Sequence, residues 1–147
     1  MGLLDILSQY QQQPNRPPPH VFDDFDRVAR EAQPEDIELG LEEAFNSEDT
    51  PPAEEMIGQL YEKSDDDTRA SLLNQILGFG NRRVSPQEAH QISPREVQIA
   101  AAQAAQKNPS VIQAASRFYA RHPALVQNLG QVALAVLMRG MARRRRM

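Results

Sequence analysis

The chain has 147 residues and a formal net charge of −4, and 40% of its residues are hydrophobic, enough for one modest domain or two small helical lobes that share a core. It contains no cysteine, which excludes a disulfide framework, a thiolate metal site and a cysteine nucleophile. Aromatic residues make up only 5% of the chain, so leucine, isoleucine, valine and alanine must supply most of the core volume.

Charge is divided unevenly along the chain. Residues 1–80 hold 5 basic and 18 acidic residues, a net of −13, whereas residues 81–147 hold 11 basic and 2 acidic residues, a net of +9. Two interpretations stay open. In the first, the two halves fold against each other and their opposite charges are neutralised within the chain. In the second, the charges orient a head-to-tail association of copies, or the basic end faces an acidic partner.

The first elements in chain order are an amphipathic helix over residues 1–10 and a linker over residues 11–19. Prolines and glutamines in the linker favour an extended spacer rather than a helix. Residues 1–10 do not resemble a signal peptide, because a basic start is missing and Asp5 interrupts the short apolar stretch.

An acidic helical lobe is predicted over residues 20–80. Its first helix, Val21–Ala32, has Phe22, Phe25 and Val28 on one face, and a second runs from Pro34 to Phe45. Thr50 is predicted to cap a helix that ends at Lys63, and Ser64 to cap the next, which ends at Gly78 and Gly80.

A basic helical lobe is predicted over residues 81–147. Two of its helices begin with capping boxes, Ser85-Pro86-Gln87-Glu88 and Ser93-Pro94-Arg95-Glu96, in which serine and glutamate satisfy each other's backbone amides. A third helix begins at Asn108-Pro109. The last is predicted to run without interruption from Pro123 into the arginine tail.

The last helix is apolar around most of its circumference. It is therefore central to the bundle, covered by another copy, or laid against lipid. If one stripe faces the core, the neighbouring stripe is exposed and marks a contact site. We predict that contact with another copy or a partner uses eight residues of this segment: Leu125, Val126, Leu129, Val132, Ala133, Val136, Leu137 and Met141.

Four arginines close the chain. Arg143, Arg144, Arg145 and Arg146 complement the negative end of the last helix, and they can also contact an anionic membrane surface or an acidic protein. Nucleic acid is disfavoured, because no aromatic residue is interleaved with the basic run. The clean apolar run Val132–Met138 is far shorter than the ~20 residues that cross a membrane.

No cluster of residues has the spacing of a catalytic or metal site. His20, His90 and His122 lack a second ligand at helical spacing, and Asp23, Asp24 and Asp26 are interpreted as a solvated helix face. Gly78-Phe79-Gly80 lacks the strand and the Gly-Lys of a phosphate loop. The sequence therefore predicts a non-enzyme without a metal or cofactor.

Three segments resemble parts of the bacterial YidB-like proteins: Met1-Gly2-Leu3-Leu4-Asp5, Asn74-Gln75-Ile76-Leu77-Gly78, and Ser93-Pro94 followed by Val97. The resemblance covers about a third of the chain. It implies a small helical bacterial protein that tends to self-associate, and it carries no catalytic residue.

Together these features predict an all-α bundle of about seven to eight short helices with a Pro/Gln-rich linker near the N-terminus. The predicted function is that of a non-catalytic, self-assembling scaffold or adaptor in the cytoplasm, with another copy of the chain as its partner. The alternative is a peripheral membrane protein that uses the N-terminal helix and the apolar C-terminal helix with its arginine tail.

Overall fold

A computed structural model of the chain describes residues 3–10, 20–77 and 83–145. The prediction of an all-α bundle is confirmed: these residues form ten α-helices, one π-helical turn and one 3₁₀ turn, with no strand among them. The predicted linker over residues 11–19, like Gly78 and Gly80, lies outside the described residues. The elements are α1 (Leu3–Ser8), α2 (Val21–Glu31), α3 (Pro34–Asn46), α4 (Ala53–Lys63), α5 (Asp66–Leu72), the π turn (Leu73–Leu77), α6 (Pro86–Gln91), α7 (Pro94–Lys107), α8 (Ser110–Ala120), α9 (Pro123–Val126), the 3₁₀ turn (Gln127–Leu129) and α10 (Gln131–Arg145).

Two predicted helix starts are confirmed. Ser85 and Ser93 each form a complete capping box at the start of α6 and α7, with proline in the first turn. Proline at this position costs the helix no hydrogen bond, because a backbone N–H in the first turn has no acceptor within the helix.

Two other predicted caps are wrong. Thr50 lies ahead of α4 and does not cap it; its hydroxyl donates to the carbonyl oxygen of Ala44 at 2.5 Å and closes the turn after α3. Ser64 ends α4, and its hydroxyl donates back to the carbonyl of Leu60 at 2.7 Å. Asp65 caps α5 instead, accepting from the backbone N–H of Thr68 at 2.8 Å. A hydroxyl can serve either end of a helix, so sequence position does not decide which end it serves.

The predicted inward face of α2 is confirmed at Phe25 and Val28 and wrong at Phe22. Val21, Phe25 and Val28 are fully buried, whereas Phe22 is 41% exposed. Val21 and Phe22 both fit an apolar stripe at helical spacing, and only the neighbouring helices decide which one faces inward.

The predicted uninterrupted last helix is wrong. The chain forms α9, passes through the 3₁₀ turn and breaks at Gly130, whose φ is 98° and ψ 173°. Glycine alone adopts this backbone region readily, because a Cβ would be strained there. The apolar pattern continues on both sides of the break, so periodicity does not reveal it.

α10 lies at the centre of the bundle, the first of the three positions that the sequence leaves open. α3 and α10 pack closely, and α1 and α2 also contact α10. Every residue from Ala133 to Met138 is buried. Gly40 permits the close approach of α3, because a Cβ at that position would lie 2.5 Å from the carbonyl oxygen of Leu137.

Helices of the acidic and basic halves share one core. α3 packs against α8 as well as α10, and α4 packs against α7. Ion pairs cross between the halves: Arg117 lies 3.6 Å from Glu38, and Arg143 lies 3.1 Å from Glu43. The halves are therefore neutralised in part within the chain, as the first interpretation of the charge division predicts.

A candidate docking groove between α5 and α8

α8 forms one wall of a groove on the surface of the bundle. α8 begins at Ser110, whose backbone N–H and hydroxyl donate to the side-chain oxygen of Asn108 at 3.2 and 2.7 Å. Ala115 and Tyr119 of α8 are buried in the core, whereas Arg117 is exposed and Phe118 half-buried. The helix therefore presents Arg117 and part of Phe118 to the groove.

α5 and the π turn form the opposite wall. Hydrogen bonds from Thr68, aided by the nearby His122, hold the pKa of Asp65 below its ordinary value, so this N-cap carboxylate stays charged at neutral pH. The π turn is held in place by Asn74, whose side chain binds both the N–H and the carbonyl oxygen of Val84, at 2.7 and 2.9 Å. π-helical turns are rare and occur frequently at functional sites.

The groove between the two walls has a volume of about 640 Å³, within the range of sites that hold a ligand or a partner's side chains. Ile76 and Phe118 are the large hydrophobic side chains of its lining, and both also pack against the core. Its lining residues are Asp67, Thr68, Ser71, Gln75 and Ile76 from α5 and the π turn, and Ala114, Arg117, Phe118, Arg121 and His122 from α8 and its end.

The charges at the rim are mostly positive. Arg117 has a distant acidic partner in Glu38, whereas exposed Arg121 forms no ion pair within the described parts of the chain. The imidazole of His122 stacks obliquely on Phe118, with ring centroids 5.3 Å apart. Asp67 is the acidic member of the lining. The groove thus combines apolar surface with guanidinium groups that can donate hydrogen bonds to carboxylates.

Two buried tyrosines lie deeper in the bundle. The Tyr61 hydroxyl donates to the carbonyl oxygen of Ala89 at 2.5 Å, and burial raises the pKa of Tyr61. Burial also raises the pKa of Tyr119, against a smaller opposing effect of the nearby Ser64 side chain. Both side chains are fully buried, so these phenols stay protonated and do not meet a solvent-borne substrate.

A second polar cluster joins the N-terminal helix to α2. Asp24 is buried, and one of its carboxylate oxygens accepts from the Tyr10 hydroxyl at 2.5 Å and lies 2.6 Å from Nδ1 of His20. Burial, followed by the bond to Asp24, raises the pKa of Tyr10. The interpretation of Asp24 as part of a solvated face is therefore wrong, and the cluster anchors α1.

The predicted contact residues of the last helix do not form a surface. Val126, Ala133, Val136, Leu137 and Met141 are buried in the chain's own core, and Leu125, Leu129 and Val132 are partly buried against it. The predicted exposed second stripe is wrong, because helices on several sides of α10 cover both stripes.

The predicted arginine tail is described only in part. Arg143 is exposed and pairs with Glu43. The side chains of Arg144 and Arg145, and the whole of Arg146, lie outside the described residues.

Sequence reasoning missed the groove, although its signal was present. Arg117-Phe118 and Arg121-His122 repeat a basic and aromatic pair at a spacing of four, the first in the last turn of α8 and the second just after its end. Within the described ranges, no three histidine or acidic side chains converge as a metal site would require. Among the same residues, no helix has the length and apolar character needed to cross a membrane.

No family model, curated protein or solved structure matches the chain. The resemblance to YidB-like proteins therefore stays a prediction.

Proposed function

We propose that the protein is a non-catalytic scaffold that assembles with other copies of itself through the groove between α5 and α8. The groove is the observation that carries the proposal: it combines the apolar surface of Ile76 and Phe118 with the guanidinium groups of Arg117 and Arg121. Apolar surface favours association, and exposed charges at a rim select and orient the partner.

The acidic half of the chain supplies a partner surface of the right charge. Ion pairs within the chain engage only some of its carboxylates, and exposed residues such as Glu55 and Asp49 carry no ion pair in the described regions. A second copy therefore offers carboxylates to the arginines of the first.

This proposal replaces the predicted assembly through α10. Contact through Leu137 or Val126 would require residues of the core to leave it. Membrane association through α1 and α10 would also require core residues to leave the core, because Ile6, Leu7 and the stripes of α10 are buried. Peripheral membrane association stays a prediction that flotation with anionic liposomes tests.

Light scattering on size-exclusion fractions at tens of micromolar tests the assembly. We expect wild-type protein to be larger than a monomer, and the double variant Arg117→Gln/Arg121→Gln to shift towards the monomer. Raising the salt concentration should weaken the wild-type assembly without abolishing it, because screening acts on charges and not on apolar burial.

The matched control is Arg95→Gln/Lys107→Gln, which removes the same charge from the exposed side of α7. We expect it to assemble as the wild type does. A wild-type protein that stays monomeric, or a control that dissociates as fully as the groove variant, would contradict the proposal.

A further inference from the structure

We infer that the groove of one copy receives the exposed end of α2 from a second copy, with Phe22 entering the groove and Asp23 and Asp26 meeting its arginines. This inference rests on the proposed function and names the segment that docks. We call Phe22, Asp23 and Asp26 the Phe22 face. Asp26 lies four residues after Phe22 and three after Asp23, and both spacings make it a neighbour of those side chains on the surface of α2.

Phe22 is exposed although the other large apolar residues of α2 are buried. It is 41% exposed, whereas Val21 and Phe25 on either side are fully buried. Among the described residues, only Phe22 and Ile99 are large hydrophobic side chains with such exposure. Exposed aromatic residues are enriched as anchors of protein interfaces, where they enter a pocket on the partner.

Charge distinguishes Phe22 from Ile99 as the occupant. Asp23 is exposed next to Phe22, and Asp26 follows one helical turn later, in an exposed pair with Arg30 at 2.9 Å. Ile99 instead has basic Arg95 one turn before it and neutral Gln103 one turn after it. A basic groove therefore favours the Phe22 face, and like charges disfavour Ile99.

The two surfaces also agree in length and form. α2 and α8 each have 11 residues, or about 16 Å of helix. Helices commonly dock into a groove on a partner through the apolar side chains of their exposed face, and Phe22 is the large apolar side chain that α2 exposes. Arg27 and Arg30 follow the carboxylates along α2, and Asp67 on the other wall offers them an opposite charge.

The Phe22 face and the groove share no residue. One copy can therefore offer its Phe22 face to one neighbour while its groove holds the Phe22 face of another. Such a heterologous contact builds a head-to-tail ring or filament rather than a closed two-fold dimer.

Mixing two defective variants tests this geometry. Phe22→Ala keeps an intact groove, and Arg117→Gln/Arg121→Gln keeps an intact Phe22 face. We expect each variant alone to self-associate at least about tenfold more weakly than the wild type, as for an interface anchor. An equimolar mixture should form a 1:1 dimer by light scattering and nothing longer, because only one complete contact exists per pair.

Ile99→Ala is the matched control, because it removes the other exposed large hydrophobic side chain and should leave assembly unchanged. Asp23→Lys provides a second variant that does not alter apolar burial, and it should weaken assembly in low salt. Far-UV circular dichroism and thermal melting establish that every variant is folded.

The outcomes separate the two claims. If Phe22→Ala and Asp23→Lys assemble as the wild type does while the groove variant does not, another segment occupies the groove and only this inference falls. If the mixture of folded variants stays monomeric, the head-to-tail contact is overturned. If the wild type is monomeric, the proposed function falls as well.

Discussion

At the scale of single residues, Asp24 shows how a polar group becomes part of a core. Its carboxylate is buried, yet it accepts from the hydroxyl of Tyr10 and lies within hydrogen-bond distance of His20. A buried charge is tolerated when its hydrogen bonds are made. The spacing of four between His20 and Asp24 was visible in the sequence. The third partner, Tyr10, is distant in sequence, and only folding brings it to the carboxylate.

Replacing Tyr10 with phenylalanine tests this cluster. Tyr10→Phe keeps the buried ring but removes the donor to Asp24, so we expect the free energy of unfolding to fall by about 1–2 kcal/mol. Urea denaturation followed by circular dichroism measures the change. Glu31→Gln, which alters an exposed carboxylate at the end of the same helix, should change the free energy of unfolding by less than about 0.5 kcal/mol. Equal stability of Tyr10→Phe and the wild type would show that the bond has no net effect.

At the scale of elements, Gly130 divides what the pattern predicts to be one helix. Residues on both sides have helical sequence character, and they form the separate helices α9 and α10. The break lets α9 and the 3₁₀ turn pack against α4 while α10 crosses the centre of the bundle. Helix propensity favours continuation, and the packing of the two segments on different neighbours decides against it.

Gly130→Ala tests whether packing enforces the break. A Cβ there would meet no atom within 4 Å, so any loss of stability comes from the backbone at φ 98° alone. We expect the free energy of unfolding to fall by about 1–3 kcal/mol, measured by urea denaturation. Gln131→Ala, on the exposed next residue, should change it little. If Gly130→Ala were instead more stable and more helical, the uninterrupted helix would be the preferred structure.

At the scale of the whole molecule, the fold depends on a central helix that is covered on several sides. Leu137 is fully buried, and its carbonyl oxygen lies next to Gly40 of α3. The ion pairs between the acidic and basic halves lie around the same junction, where Glu43 of α3 faces both Arg139 and Arg143 of α10. Apolar packing and charge therefore both join the halves within one chain.

Truncating the central helix should destabilise the whole molecule. We expect Leu137→Ala to lower the free energy of unfolding by about 2–5 kcal/mol, because it leaves a cavity where α3 and α10 cross. Leu137→Glu should prevent folding, because an unpaired charge would be buried. Circular dichroism with urea measures both, with exposed Ile99→Ala as the control. A folded Leu137→Glu variant that merely dissociates from other copies would instead restore the prediction of assembly through α10.

The sequence by itself determined the helical class, most of the helix bounds and two capping boxes. These features depend on residues within one or two turns of each other, as at Ser85 and Glu88, and such local preferences do not need the rest of the chain. The division of charge between the two halves is also visible in the sequence, but the residues that form ion pairs across the halves are not.

Only the tertiary structure decided which apolar side faces inward, where the last helix breaks and where a groove opens. Phe22 and Val21 are equivalent in pattern, and the neighbours of α2 choose between them. The groove arises where α5 with its π turn lies opposite α8, two segments about 40 residues apart in sequence. Such a surface depends on how helices pack against each other, and the periodicity of a single helix does not identify the helices that it packs against.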